Sequence, residues 1–257
     1  MGWLHLCLVG CPDQLHDNNL PDENGSSMKF RLFIPGLLFL VVFAAACSAP
    51  ELRDPALLQD TSLISNVPCA APCWRGITPG ETTWRDALII LEDDPTIENV
   101  NTQTDENAVA AAADWQQRGG AACCQAFSED GQTVSILFLR TAPTMTLGQV
   151  IANHGDPTYA VGSPFSDTQA IVNLIYPNIP MVVYAFVPGV EGELSENNEI
   201  IGVLYMTPKD MELLEVTSSL HQWEGYNPYT VYRGDEDAPF DVTPSVTLTP
   251  TPTSESQ

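Results

Sequence analysis

The chain has 257 residues, enough for one large or two small domains, and a hydrophobic share of 44% is sufficient to build a core. Its charge is unusual: 9 Lys and Arg stand against 33 Asp and Glu, a formal net charge of -24. A field of that sign repels phosphate backbones and anionic headgroups, which excludes nucleic acid as a partner and electrostatic adhesion as a route to membranes. It also keeps a surface soluble, and that role alone accounts for most of the carboxylates.

Residues 1–27 are polar and carry Asp13, Asp17, Asp22 and Glu23. The basic pair Lys29 and Arg31 follows, then an apolar run over 32–43, then Ala44, Ala45, Ala46 and Cys47. Basic, apolar and small-residue parts in that order form a secretory signal, expected over 28–46. The true start is then expected at Met28, with 1–27 a mis-assigned extension, and nothing functional is read from Cys7 or Cys11. The apolar run is shorter than the ~20 residues needed to span about 30 Å of hydrocarbon, so a cleaved signal is favoured over a retained anchor. The Ala-Ala-Ala-Cys junction resembles the lipobox of bacterial lipoproteins, with Ala44 where that family usually has Leu. The resemblance implies a lipid on Cys47 and a mature chain anchored at the extracytoplasmic face of a bacterial membrane.

A polar tether is expected over 47–66, containing Pro50 and Pro55. Its counterpart at the other end is the Thr/Pro/Ser tract 241–257, too poor in apolar surface to order itself. A wall-crossing spacer or glycosylated stalk is one reading of this tract, and a terminus without a role is the other.

With Cys47 assigned to lipid, Cys69, Cys73, Cys123 and Cys124 remain, an even number suited to disulfides in an oxidising compartment. Adjacent residues of a strand point to opposite faces, so the preferred expectation pairs each of Cys123 and Cys124 with one of Cys69 and Cys73. A four-thiolate zinc site is the rival, weakened by the three-residue gap between Cys69 and Cys73.

Two short amphipathic helices come next. The first spans 84–91 after Thr83 and is stopped by Asp93, Asp94 and Pro95; the second spans 147–152 after Thr146 and is stopped by Gly155, Asp156 and Pro157. Thr146 with Gln149 has capping-box spacing, and Thr83 with Asp86 offers a weaker version. Strand-like stretches follow each helix: 121–127 and 133–140 around the Glu129-Asp130-Gly131 turn, then 168–176, 181–187 and 200–206. A last helix starts at Thr207 as N-cap, with Pro208 at N1 and Asp210 at N3. The expected fold is α+β: two fused repeats of short helix plus antiparallel sheet, 67–140 and 141–240, with the helices on one sheet face and disulfide staples.

The Pro-Gly-x-Thr lead at 79–82, the short helices and the Gly-Asp-Pro stop at 155–157 resemble the BamE/SmpA-like lipoproteins and the tandem repeats of the β-lactamase inhibitor protein. That resemblance implies modules that bind other proteins and brings no catalytic residues. Thr144 stands where the second lead would have Gly, and the Ala-rich stretch 108–113 has no counterpart. The layout, with Pro-Cys-x-x-Pro-Cys-Trp-x-Gly-Ile at 68–77, is also similar to lipoproteins of filamentous, Chloroflexi-type bacteria.

His154 and His221 are the histidines after Cys47, and no nucleophile elbow, phosphate loop or zinc-protease stretch occurs. Neither a cofactor nor a metal is expected. Trp223, Tyr226, Tyr229 and Tyr232, separated by Gly225 and Pro228, suit an exposed binding surface, or else fold back over the sheet. The expected function is protein binding, with another envelope protein as partner. The alternative is a small-molecule (sugar or peptide) binding protein or enzyme with a pocket on the sheet face.

Overall fold

Residues 51–104, 109–166 and 168–233 are described by the computed structural model. The expected signal peptide, Cys47 and tract 241–257 lie outside the described residues. Stretches rich in Val, Ile and Tyr between turn signals form the strands: β1 (Ile97–Thr104), β2 (Ala111–Gln117), β3 (Ala122–Ser128), β4 (Ile136–Arg140), β5 (Tyr159–Ser166), β6 (Gln169–Tyr176), β7 (Met181–Val187), β8 (Ile200–Met206) and β9 (His221–Gln222). The helices are α1 (Ser62–Ser65), α2 (Trp84–Asp93), α3 (Leu147–His154) and α4 (Pro208–Thr217), followed by a 3-10 turn at Tyr229–Val231.

The nine strands make a single antiparallel sheet in the order β1-β2-β3-β4-β8-β7-β6-β5-β9. The class is therefore α+β, as expected. Strands β1 to β4 form one meander and β5 to β8 another, and they join where β4 pairs with β8 from Ile136↔Met206 to Arg140↔Gly202. Central β7 and β8 are buried along nearly their whole length, which is why they read as continuous apolar runs. Flanking β2 and β4 alternate buried and half-buried positions, as strands with one face better covered than the other do.

All four helices have threonine at the N-cap, and three of these threonines make cap bonds. Thr83 accepts from the Asp86 N–H at 3.1 Å, Thr207 from the Asp210 N–H at 3.1 Å, and the Gln149 side chain accepts from the Thr146 N–H at 2.9 Å. The entries to α2 and α3 are tied to the sheet in the same manner. Trp84 N–H bonds Gln132 O and Val134 N–H bonds Thr82 O; Leu147 N–H bonds Asn198 O and Ile200 N–H bonds Met145 O. Thr83 thus bridges Thr133 just before β4, and Thr146 bridges Glu199 just before β8.

The main core lies on one sheet face. Leu137, Leu139, Val172, Leu174, Val183, Val203 and Tyr205 meet Trp84, Ala87 and Leu91 of α2 and Leu147 and Val150 of α3 there. The terminal helix departs from a single helical layer: Met211 of α4 packs in a second cluster with Ile175, Val182 and Met206, residues that alternate with those of the main core and so face the other way.

The polar tether expected over 47–66 is corrected for its second half. Leu57, Leu58 and Leu63 are buried, Leu58 bridges Thr141, and Ser62–Ser65 is helical. Three leucines among polar residues are a weak local signal, and they acquire their partners from strands ~80 residues or more downstream. Asp60 ends this segment against Trp74, whose Nε1 donates to it at 3.0 Å, and Arg75 lies 3.7 Å from the same carboxylate. The Arg75 guanidinium also stands over the Trp74 ring at 4.8 Å and contacts Asp94.

Asp94 links this cluster to pH. Burial alone would raise its pKa, but the Thr96 hydroxyl and backbone N–H, helped by Arg75, outweigh it and hold the carboxyl below its ordinary value. A depressed carboxylate contributes stability that is fully present above its unfolded pKa of about 3.9 and is lost as the pH falls through the folded value. Asp94→Asn is expected to unfold more readily than wild type at pH 7, and the gap should narrow as wild type is titrated below pH ~4. Urea midpoints for both proteins at pH 7 and pH 3 check this, and an equal gap at both refutes it.

Candidate interaction face

The four cysteines after Cys47 do pair, but not across the two segments. Cys69 bonds Cys73, and Cys123 bonds Cys124 with their Cα atoms 3.7 Å apart. The expectation of cross-pairing rested on strict strand alternation, and a bulge breaks it. Trp115 faces Cys124 and Gln116 faces Ala122, so Cys123 is an extra residue and both cysteines turn inward, 4% and 1% exposed. Peptide mapping without reduction should give each bridge within one peptide. A peptide linking 69–73 to 123–124 would contradict the pairing.

The expected aromatic surface is also corrected. Tyr229 and Tyr232 are fully buried, and Trp223 is half-buried, stacked on Tyr232 with ring centroids 5.4 Å apart. The Tyr232 hydroxyl donates to Gly225 O at 2.7 Å and accepts from the Glu224 N–H at 3.0 Å. Of the four, Tyr226 alone is exposed, at 42%. The segment folds back because Gly162 of β5 leaves room for the Tyr229 ring: a Cβ there would stand 2.8 Å from its Cε2. His154, at the end of α3, lies 2.6 Å from Leu63 O through Nε2 and serves as a brace for α1.

The more open of the two sheet faces is the one opposite the main core, where Phe138, Arg140, Tyr184 and Leu204 are half-buried. α4 covers one end of it through Met211 and Leu214. On this face the register sets Gln125, Phe138 and Leu204 in one row, and Arg140, Gly202, Tyr184, Asn173 and Val161 in the next; Leu204, Tyr184 and Val161 also pack against the cluster that holds Met211. The Phe138 and Tyr184 rings meet edge to face at 5.7 Å, reaching towards each other over β8. They can do so because Gly202, between Arg140 and Tyr184, has no side chain. A Cβ on Gly202 would lie 2.9 Å from Leu139 O and 3.7 Å from the Tyr184 ring.

Burial pushes the Tyr184 hydroxyl up to about 12, so it stays a neutral donor at ordinary pH. Arg140 is the single Lys or Arg borne by any of the nine strands. Among the described residues its guanidinium has no ion pair and no hydrogen-bond partner. The site therefore consists of an aromatic pair that meets over buried Gly202, with Arg140 beside it on β4. No local sequence pattern marks it. The available signal is Arg140 itself, a lone cation ending an otherwise apolar strand.

A separate hollow of about 320 Å³ lies between Arg53, Phe186, Pro188, Ser195 and Glu199. Arg53 covers the Phe186 ring at 4.4 Å and pairs with Glu199 at 3.4 Å, so its charge is already answered. Compared with protein-family descriptions, curated proteins and solved structures, the chain matches none.

Proposed function

We propose that the protein is an exported lipoprotein, anchored through Cys47 at the extracytoplasmic face of a bacterial membrane, that binds another envelope protein through the open sheet face. The observation that carries this reading is the group Phe138, Leu204, Tyr184 and Arg140, half-buried apolar and cationic side chains set on rigid strands at the margin of the cluster that α4 covers. Rigid aromatic and arginine groups are the usual anchors of protein interfaces. The reading includes two fused helix-plus-sheet repeats, supported by the matching bonds that tie Trp84 and Leu147 to the turns before β4 and β8. The likeness of the lead and stop motifs to BamE/SmpA-like lipoproteins agrees with a binding role.

The test is affinity capture from native membranes with the full chain and with Phe138→Ala/Tyr184→Ala. A specific envelope protein should copurify with wild type and be lost with the double variant. Cys47→Ser should leave the protein unprocessed or release it from the membrane fraction. A partner retained equally by the double variant, or a fully processed, membrane-bound Cys47→Ser product, contradicts the proposal.

A further inference from the structure

We infer that the hollow over Phe186 receives an arginine side chain of the partner, in the seat that Arg53 now fills; this rests on the open face being the binding surface. Phe186 follows Val182 and Tyr184 along β7 by twos, so it lies on that same face, at the end away from Met211 of α4. The hollow, about 320 Å³, opens there between Arg53, Phe186, Glu193, Asn197 and Glu199. Its walls are fixed by the backbone. The Phe186 N–H bonds Glu199 O at 2.8 Å, and the Asn198 side chain donates to Phe186 O at 2.8 Å while accepting from the Ser195 N–H at 2.6 Å. Leu194, between Glu193 and Ser195, is buried and pins the rim.

The present occupant shows which chemistry fits. The Arg53 guanidinium stands 4.4 Å above the Phe186 ring and reaches Glu199 at 3.4 Å, a flat cation set between a ring face and a carboxylate. It is loosely held. The Arg53 side chain is 45% exposed, and exposed ion pairs contribute little, so an incoming arginine can take its place. Charge favours the exchange. Arg53 is the one cation lining the hollow, against Glu193 and Glu199, and the Glu193 carboxylate has no ion pair among the described residues. The loop over 188–199 adds Glu191 and Glu196 and contains no Lys or Arg. In a chain of formal net charge -24, this end of the face steers a basic segment towards the seat. Arg140 does not line the hollow, and its strand β4 is two strands from β7, ~10 Å at backbone level.

The test titrates the full chain with acetyl-Gly-Arg-Gly-amide, and with the same peptide carrying citrulline, the uncharged isostere, following the backbone amide signals of residues 193–199 by NMR. The arginine peptide should shift these signals and the citrulline peptide should not. Arg53→Gln, which vacates the seat, should tighten the arginine peptide roughly tenfold, and Glu193→Gln/Glu199→Gln should weaken it by about as much. The lysine peptide should bind more weakly than the arginine one, having no flat face to lay on the ring. Equal binding of the citrulline or lysine peptide overturns the inference, as does an Arg53→Gln protein that binds no more tightly than wild type. Affinity capture keeps the two readings apart. Loss of the envelope protein with Glu193→Gln/Glu199→Gln as well as with Phe138→Ala/Tyr184→Ala is the expected result. If the glutamate variant retains it and the aromatic variant does not, the open face stands as the binding surface and only the arginine seat falls. If both variants retain it in full, both readings fall.

Discussion

Trp74→Ala should be the most damaging single substitution in the described fold, costing about 5 kcal/mol. Removing a buried indole costs about 3–5 kcal/mol in lost transfer energy and residual cavity. Here the ring is fully buried and stacks on Trp115 at 5.9 Å. Its loss also leaves the Asp60 carboxylate without the Nε1 donor at 3.0 Å and Arg75 without its ring, a further ~1–3 kcal/mol for an under-bonded buried acceptor. Domains of this kind hold only about 5–15 kcal/mol in total, so the variant should be largely unfolded or strongly shifted in thermal melting. Trp74→Phe keeps most of the packing and loses the donor, and is expected to cost ~1–3 kcal/mol. Urea denaturation of both variants decides this, and a Trp74→Ala protein within ~1 kcal/mol of wild type would refute the role given to the ring.

The second large effect is expected at the contact between Gly162 and Tyr229. Tyr229→Ala should cost about 3–5 kcal/mol, because the ring is fully buried. Its hydroxyl has no hydrogen-bond partner among the described residues, so Tyr229→Phe should be neutral or slightly stabilising. Gly162→Ala places a Cβ 2.8 Å from the ring, where the enclosed side chain has little freedom to move aside, and should cost ~1–3 kcal/mol. The two sites are coupled: in a Tyr229→Ala background the extra methyl should cost far less. Four midpoints measured together test this, and strict additivity would show that the ring does not enforce glycine.

Features governed by short-range chemistry were the legible ones. Thr83, Thr146 and Thr207 start helices because their partners lie three residues away, and β7 and β8 stand out because every position but Tyr184 and Leu204 is buried. Strands lacking that burial were hidden. β1 is an edge strand made mostly of polar residues, bulged where Asn99 takes a φ of 57°. β2 packs Ala111 and Ala113 inward, a residue type with little strand preference, and β5 is interrupted by Gly162 and Pro164.

Long-range features were hidden for a different reason. The pairing of Cys123 with Cys124 depends on a bulge defined by β2, and the burial of Tyr229 and Tyr232 depends on space left at Gly162. The candidate site is of the same type: Phe138, Arg140, Tyr184 and Gly202 come from three strands and meet only through register. Their individual identities were readable, and their adjacency was not.

The most direct measurement places a photo-crosslinking amino acid at Phe138 or Tyr184 of the open face, and as controls at Ile89 on the exposed side of α2 and at Val216 of α4, in the full chain within its native membrane. Crosslinks to one envelope protein from 138 and 184, and none from 89, are the expected result, with 216 silent or weak at the margin. Crosslinks to a common partner from 89 or 216, with 138 and 184 silent, would contradict the assignment of binding to the open sheet face.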